Sequence, residues 1–320
     1  MNKRKIKNGP ELTEIGIGTW AIGGPWAHGW GPQKNEDSIK AIQTALDQGI
    51  NWIDTAPAYG YGHAEQMVAS VVGKNRPNVF IATKCGLVWN ENRKVKFRLK
   101  SDSIIEECEN SLRRLNTDYI DLYQIHWPDP KTPIEEAWRA MAQLKESGKV
   151  RYIGVSNFDV AQLNTCQKIA PVTSLQPPYS MVKRGIEQDI LPWCLEHDTG
   201  VVAYSPLQAG ILTGKFNLEH LNSLPKDDWR KYNPLFKPPV FEKIVEFVEQ
   251  VTSLGEKYEK TPGSMAVNWV LSQPGITAAI VGVRNQEQAL QITNGTGWSI
   301  QKEDLDIIDK LYESILKPVL

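Results

Sequence analysis

The sequence predicts an α/β fold: a (β/α)8 TIM barrel preceded by a β-hairpin and followed by an extra helix. Three observations predict it. Eight short β-branched runs recur along the 320 residues, each followed by an amphipathic stretch. Several runs are apolar on consecutive positions, the mark of strands covered on both faces and so of a parallel sheet. Eight strand–helix units, at about 40 residues each, is the number that closes a barrel.

The strands are expected at Glu14–Thr19, Ile50–Asp54, Val79–Lys84, Tyr119–His126, Val150–Ser156, Val172–Gln176, Gly200–Ser205 and Thr277–Gly282. Between them, Asn35-Glu36-Asp37-Ser38 opens a helix with Ile39, Ile42, Ala45 and Leu46 on one face. Ser101-Asp102-Ser103 likewise precedes Ile104, Ile105, Cys108 and Leu112. Thr132-Pro133-Ile134-Glu135 reads as a helix start with Thr132 as N-cap, Pro133 at N1 and Glu135 at N3. Gly49, Gly148 and Gly200 each precede a strand, where a helix closes on glycine. A doubly wound open sheet would need Gly-x-Gly-x-x-Gly leading into a helix. Here Gly16-Ile17-Gly18-Thr19-Trp20 has Ala21 at the third glycine position and runs into a loop. Lys3–Glu14, turning at Asn8-Gly9, reads as a hairpin plugging the barrel bottom, and Gln301–Leu320 as one more helix. No linker interrupts residues 1–320, so a single domain is expected.

Composition narrows the function. Apolar residues make up 41% and charged residues 23%, enough for a large core, which excludes a disordered chain. Lys+Arg 36 against Asp+Glu 37 leaves no basic excess for a phosphate backbone, so no nucleic-acid partner is expected. Cys85, Cys108, Cys166 and Cys194 show neither CxxC nor zinc-site spacing, which fits a reducing cytoplasm and no metal. The charged N-terminus carries no apolar segment of a secretory signal. Thr261–Val283 is uncharged and long enough to span a bilayer, but Pro262, Asn268, Gln273 and Pro274-Gly275 make it a helix, a turn and a buried strand. No membrane or protein partner is expected.

In a barrel the chemistry sits at the C-terminal ends of the strands. Three consecutive strands end in Asp54, Lys84 and His126, each after an apolar run. Asp54 and Lys84 supply each other's counter-charge, which buried charges require. Tyr59 lies five residues past Asp54, close enough to fold over the same spot. A phenol is a poor acid at neutral pH, and a neighbouring ammonium favours its ionised form, making Tyr59 a better proton donor. His126 is placed to hydrogen-bond a substrate carbonyl. The cluster suits protonation of a developing alkoxide. Trp20, Trp26, Trp30, Trp89 and Trp127 lie at or beyond strand C-termini and read, with Tyr59 and His126, as an aromatic substrate pocket. The loop Gly24–Gly31 has no assignable substrate, and Arg93–Lys100 reads as a solvated loop.

These residues resemble the aldo-keto reductases along essentially the whole chain. The matching segments are Gly18-Thr19-Trp20, Gly49 to Gly60, Thr83-Lys84, Gln124-Ile125-His126-Trp127, Gly154 to Phe158, Gln176, and Tyr204-Ser205-Pro206-Leu207 with Gly210. The chain looks most like the bacterial branch with Gly-x-Gly-His after the catalytic Tyr and Gly-x-Arg near the last strand. The resemblance implies a catalytic tetrad of Asp54, Tyr59, Lys84 and His126. It also implies a nicotinamide cofactor, normally NADPH/NADP+. Ser156, Asn157 and Gln176 would bond its carboxamide, with Thr19, Trp20 and Asp54 close by, and Tyr204 would stack on its ring. Ser205, Leu207, Gly210 and Lys215 would line the pyrophosphate, and Pro206 would also contact the cofactor. Gly282, Val283, Arg284, Gln288 and Gln291 would meet the 2′-phosphate and adenine. Arg284 then precedes a helix N-terminus, which welcomes an anion. Gln291-Ile292 departs from the Glu-Asn often found there. The function implied is an NADPH-dependent oxidoreductase that reduces small aldehydes and ketones, with Tyr59 as general acid. Two alternatives remain: a non-catalytic NADP(H)-binding regulator similar to the potassium-channel β subunits, and a polyol or inositol dehydrogenase working oxidatively.

Overall fold

A computed structural model describes residues 1–26, 29–225 and 228–320. Eight parallel strands close a barrel. In chain order they are β3 (Ile15–Gly18), β4 (Trp52–Asp54), β5 (Phe80–Cys85), β8 (Ile120–Ile125), β9 (Val150–Ser156), β10 (Ser174–Gln176), β11 (Gly200–Tyr204) and β12 (Ile276–Gly282). Each pairs with the next, and β12 returns to β3 through Ala279↔Ile15. All eight expected strands are present, with ends moved by at most two residues.

Two hairpins stand outside the barrel. Strands β1 (Lys3–Lys5) and β2 (Glu11–Thr13) carry Ile6 and Leu12 onto Trp52, Val202, Ala278 and Ile280, so the expected plug closes the barrel floor. Trp52 fits there because position 16 is glycine: a Cβ on Gly16 would lie 2.1 Å from the indole. The Gly16-x-Gly18 pair is thus a packing feature. Strands β6 (Leu87–Trp89) and β7 (Val95–Phe97) form the second hairpin, at the opposite end. The Arg93–Lys100 run was expected as a loop; its middle is a strand, paired Leu87↔Phe97 to Trp89↔Val95, although its side chains are mostly exposed.

The helices are α1 (Asn35–Asp47), α2 (His63–Val72), α3 (Ser101–Leu115), α4 (Ile134–Glu146), α5 (Val160–Gln167), α6 (Ile190–Glu196), α7 (Leu218–Ser223), α8 (Val240–Glu256), α9 (Pro262–Ser272), α10 (Gln286–Ile292) and α11 (Lys302–Leu311). Their apolar faces meet the outward side chains of the strands in one continuous core. Two expected caps differ. Pro133, not Thr132, is the N-cap of α4, and the Thr132 hydroxyl instead donates to Asp129 Oδ2 at 2.8 Å. Gly200 is the first residue of β11; the left-handed residue after α6 is Asp198 (φ 56°). The uncharged stretch is α9, a turn and β12, as its breaks require. Among the described residues no helix is long and apolar enough to cross a membrane. All four cysteines are free and buried.

Candidate active site

Side chains alternate across a strand. Trp52, Phe80 and Val202 face the barrel floor, so Asp54, Lys84 and Tyr204, at even spacings further on, point inward at the mouth. The Lys84 ammonium donates to Asp54 Oδ1 at 2.6 Å and to the Thr55 carbonyl at 3.0 Å, and it lies 3.3 Å from the Tyr59 hydroxyl. Tyr59 comes from the loop before α2. That loop presses on the loop after β3 so closely that a Cβ on Gly60 (φ 65°) would sit 1.8 Å from the Gly23 carbonyl oxygen. His126, just past β8, meets Tyr59 edge-on with ring centroids 5.8 Å apart. The four residues expected to form the catalytic group are therefore in one cluster.

Burial dominates its electrostatics. It lowers Lys84 from its ordinary value, while Asp54 and, further off, Glu65 pull it back up. It pushes the His126 imidazole well below its usual range, with the Lys84 charge adding to the effect, so His126 is neutral. Tyr59 is raised well above an ordinary phenol, by burial and then by Asp54. This reverses the shift expected from the ammonium alone. Desolvation outweighs a charge that Asp54 already neutralises. Tyr59 in this state holds its proton.

Beside this cluster a polar chain runs along the ends of β9, β10 and β11. Asn157 (φ 62°) donates to the His126 carbonyl and to Ser156 Oγ, both at 3.0 Å, and accepts from Tyr204 OH at 2.9 Å. Ser156 Oγ donates to the Gln176 carbonyl at 2.7 Å. Thr19 Oγ1 donates to the Asp54 carbonyl at 3.1 Å. Past β11, Ser205, Gln208 and Ala209 have positive φ, unfavourable backbone of the sort that collects at binding sites, and Gly210 (φ 91°) follows them. Pro206 is buried there and Leu207 packs on the core, whereas Lys215 is exposed.

Arg284 follows β12. Its Nε donates to Gln33 Oε1 at 3.0 Å and its Nη2 to the Pro32 carbonyl at 2.8 Å, tying it to the first loop. Gln288 Oε1 accepts from the Arg284 backbone N–H at 2.8 Å. Pro32, Gln33, Lys34, Asp37, Arg284, Asn285 and Gln288 line one open cleft. Gly282 is exposed and Val283 buried; Gln291 is exposed and donates to Glu287 at 2.9 Å.

The tryptophans divide. Trp26 lies against Tyr59 (centroids 5.9 Å) and Trp20 against Trp30 (5.7 Å). Trp89 instead stacks edge-on with Tyr61, and Trp127 is 41% exposed. Ala27 and His28 of the first loop lie outside the described residues. Sequence reasoning missed Trp229, whose ring lies 5.4 Å from Trp20 and 6.0 Å from Trp30, with the Arg230 guanidinium 4.8 Å from the Trp30 ring. These two stand in an irregular segment between α7 and α8 that carries no periodic signal. Gln124, named only within a matching segment, was given no role there; it is fully buried inside the barrel, and an inward-facing polar residue on an apolar strand could have flagged it.

Residues 14–313 match the Aldo/keto reductase family. The chain belongs to that family. It is 41% identical to aldo-keto reductase YhdN of Bacillus subtilis over 96% of this chain and 92% of that one. It is 32% identical to the NADH-specific methylglyoxal reductase of Escherichia coli, over 95% and 96% of the two chains. Among solved structures, the glycerol dehydrogenase AKR11B4 from Gluconobacter oxydans superposes with a TM-score of 0.91 at 39% identity, covering 98% of this chain and 96% of that one. This aldo-keto reductase is thus an oxidoreductase of a family that uses a nicotinamide cofactor.

Proposed function

We propose that this aldo-keto reductase reduces small aldehydes and ketones to alcohols with NADPH, Tyr59 acting as general acid. The observation that carries the proposal is the Tyr59 hydroxyl 3.3 Å from a Lys84 ammonium that is itself clamped to Asp54 at 2.6 Å. Burial keeps the phenol protonated until a stronger base forms beside it. A developing alkoxide is such a base. Lys84 then stabilises the phenolate left behind, and Asp54 keeps Lys84 charged and aimed. Neutral His126 offers a ring N–H to the same oxygen without adding a charge.

The residues fit a nicotinamide cofactor. Among the described residues the Gln176 side-chain oxygen accepts no bond, while its nitrogen is committed inward. Ser156 and Asn157 stand beside it and Tyr204 supplies a ring face. When bound, the reduced cofactor supplies the hydride. Arg284 supports NADPH over NADH: it is a cation in a polar cleft, where a 2′-phosphate would find a planar guanidinium. The NADH specificity of the Escherichia coli relative makes this choice a point to measure.

Likeness to a glycerol dehydrogenase favours a second reading, in which the same residues run in reverse and Tyr59, as phenolate, takes the proton of a polyol. Multiple-turnover NADPH oxidation with a panel of aldehydes, set against NADP+ reduction with polyols, decides the direction. No turnover either way, with NADPH still bound, would mark a binding subunit instead.

A further inference from the structure

We infer that Gln124 is a positioning residue, which locks the orientation of the Gln176 amide and supports Asp54 from inside the barrel. The inference rests on the reading above, in which Gln176 meets the cofactor. Asp54, Gln176 and Gln124 are all buried, and Gln124 is completely so. Asp54 Oδ1 is taken by Lys84. Its Oδ2 receives two amides: Gln176 Nε2 at 2.8 Å and Gln124 Nε2 at 3.4 Å. Gln176 Nε2 also reaches Gln124 Oε1 at 3.4 Å, closing a triangle.

An ionised carboxylate only accepts hydrogen bonds, so both amides must turn their NH2 groups toward Asp54. Gln124 then has one group left for its neighbour, its Oε1, and that group can only accept. The two hydrogens of Gln176 Nε2 are consumed by Asp54 and Gln124. The Gln176 oxygen is therefore the only group Gln176 can show to the mouth, and a carboxamide meeting it must present its own NH2. Without Gln124, one hydrogen of Gln176 is left over and the lock reduces to a single bond. Asp54 also loses one of three donors in a place where water cannot replace it.

Gln124 sits where it can do this because of register. It pairs with Lys84 on β5 and with Gly154 on β9. A Cβ on Gly154 would crowd Ser174 at 2.5 Å, so the position beside Gln124 stays small.

The experiment compares wild type with Gln124→Met, which keeps the length and removes both amide functions, and with Gln124→Glu. Buried beside Asp54, a glutamic acid stays protonated, so it donates and accepts like the amide it replaces. Steady-state aldehyde reduction, NADPH titration and circular dichroism are measured for each, and again on a Gln176→Met background. For Gln124→Met the expected result is a fall in kcat of about fivefold or more at unchanged aldehyde KM, with weaker NADPH binding. Gln124→Glu should restore kcat to within about threefold, and the two Met substitutions together should cost less than the product of the singles. A purely packing role predicts no such split, rescue or coupling. If Gln124→Met does not fold, Gln124→Asn, one methylene too short to bridge, takes its place with the same expectations. Unchanged kcat, failed rescue or multiplicative effects would overturn the inference. If Tyr59→Phe loses turnover while Gln124→Met keeps it, only this inference fails; a wild type without turnover overturns both.

Discussion

Arg284 and Gln33 clasp each other at the rim of the mouth. The guanidinium Nε donates to Gln33 Oε1 at 3.0 Å while Gln33 Nε2 donates to the Arg284 carbonyl at 2.8 Å. The loop after the first barrel strand is thereby fastened to the loop after the last. Arg284 thus has two jobs, holding the loops and, in the proposed function, reading the 2′-phosphate.

Substitution separates them. Arg284→Ala should weaken NADPH by ~1.5–3 kcal/mol, the range for a charged hydrogen bond, and NADH much less. Gln33→Ala loosens the clasp but leaves the charge, so it should weaken both cofactors alike and only slightly. Fluorescence-quenching titrations of the two cofactors check this. Equal losses on Arg284→Ala would show that the arginine does not read the phosphate.

Tyr59→Phe keeps the ring against Trp26 and removes the proton. The expected fall in kcat is at least ~10²-fold, with cofactor affinity nearly unchanged. Near-wild-type turnover would remove Tyr59 from the role of acid.

Trp229 completes the wall that Trp20 and Trp30 begin. An indole buries roughly 200 Å², and at ~25 cal/mol per Å² even partial contact with a substrate is worth about 1–2 kcal/mol. Trp30→Ala and Trp229→Ala should therefore raise KM for aromatic aldehydes by about five- to thirtyfold and barely move KM for glyceraldehyde, which is too small to span to the wall. Parallel shifts for the two substrates would make these rings packing alone.

Glu107 accepts from the Gly86 N–H at 2.9 Å and from Ser103 Oγ at 3.0 Å, at the root of the second hairpin. Burial pushes its carboxyl up to about 7, against those bonds and the charges of Arg114 and Arg98. The folded state thus holds the proton more tightly than the unfolded chain. Stability should fall as pH rises from about 4.5 to 7, and the full cost, about 3 kcal/mol, is present above that. Glu107→Gln keeps an acceptor for Gly86 and cannot ionise. It should raise Tm by several degrees at pH 8 and leave it unchanged near pH 4.5, seen by calorimetry at both values. A gain of the same size at both values would contradict the assignment.

Most of the fold was legible in the chain. Continuous apolar runs such as Leu122 to Ile125 with Gln124 between them, and the breaks at Pro274-Gly275, are local signals, because a strand covered on both faces needs apolar side chains at both parities. Thr132 misled because a Thr-Pro start satisfies the capping pattern, yet its hydroxyl is claimed by Asp129, a partner supplied by the loop's own path. The Arg93–Lys100 run looked solvated and is, but its backbone pairs with β6, which charge alone does not report.

The sequence by itself determined the barrel, its floor plug and the four residues that meet at the mouth, since strand ends in a closed parallel barrel converge by topology. The direction of the Tyr59 shift was left to tertiary structure, because desolvation depends on everything packed around a group and not on its nearest charge. So were the Trp229 wall, built by a segment with no period, and the Asp54–Gln176–Gln124 triangle. That triangle joins three strands far apart in the chain at distances that only closure of the barrel sets.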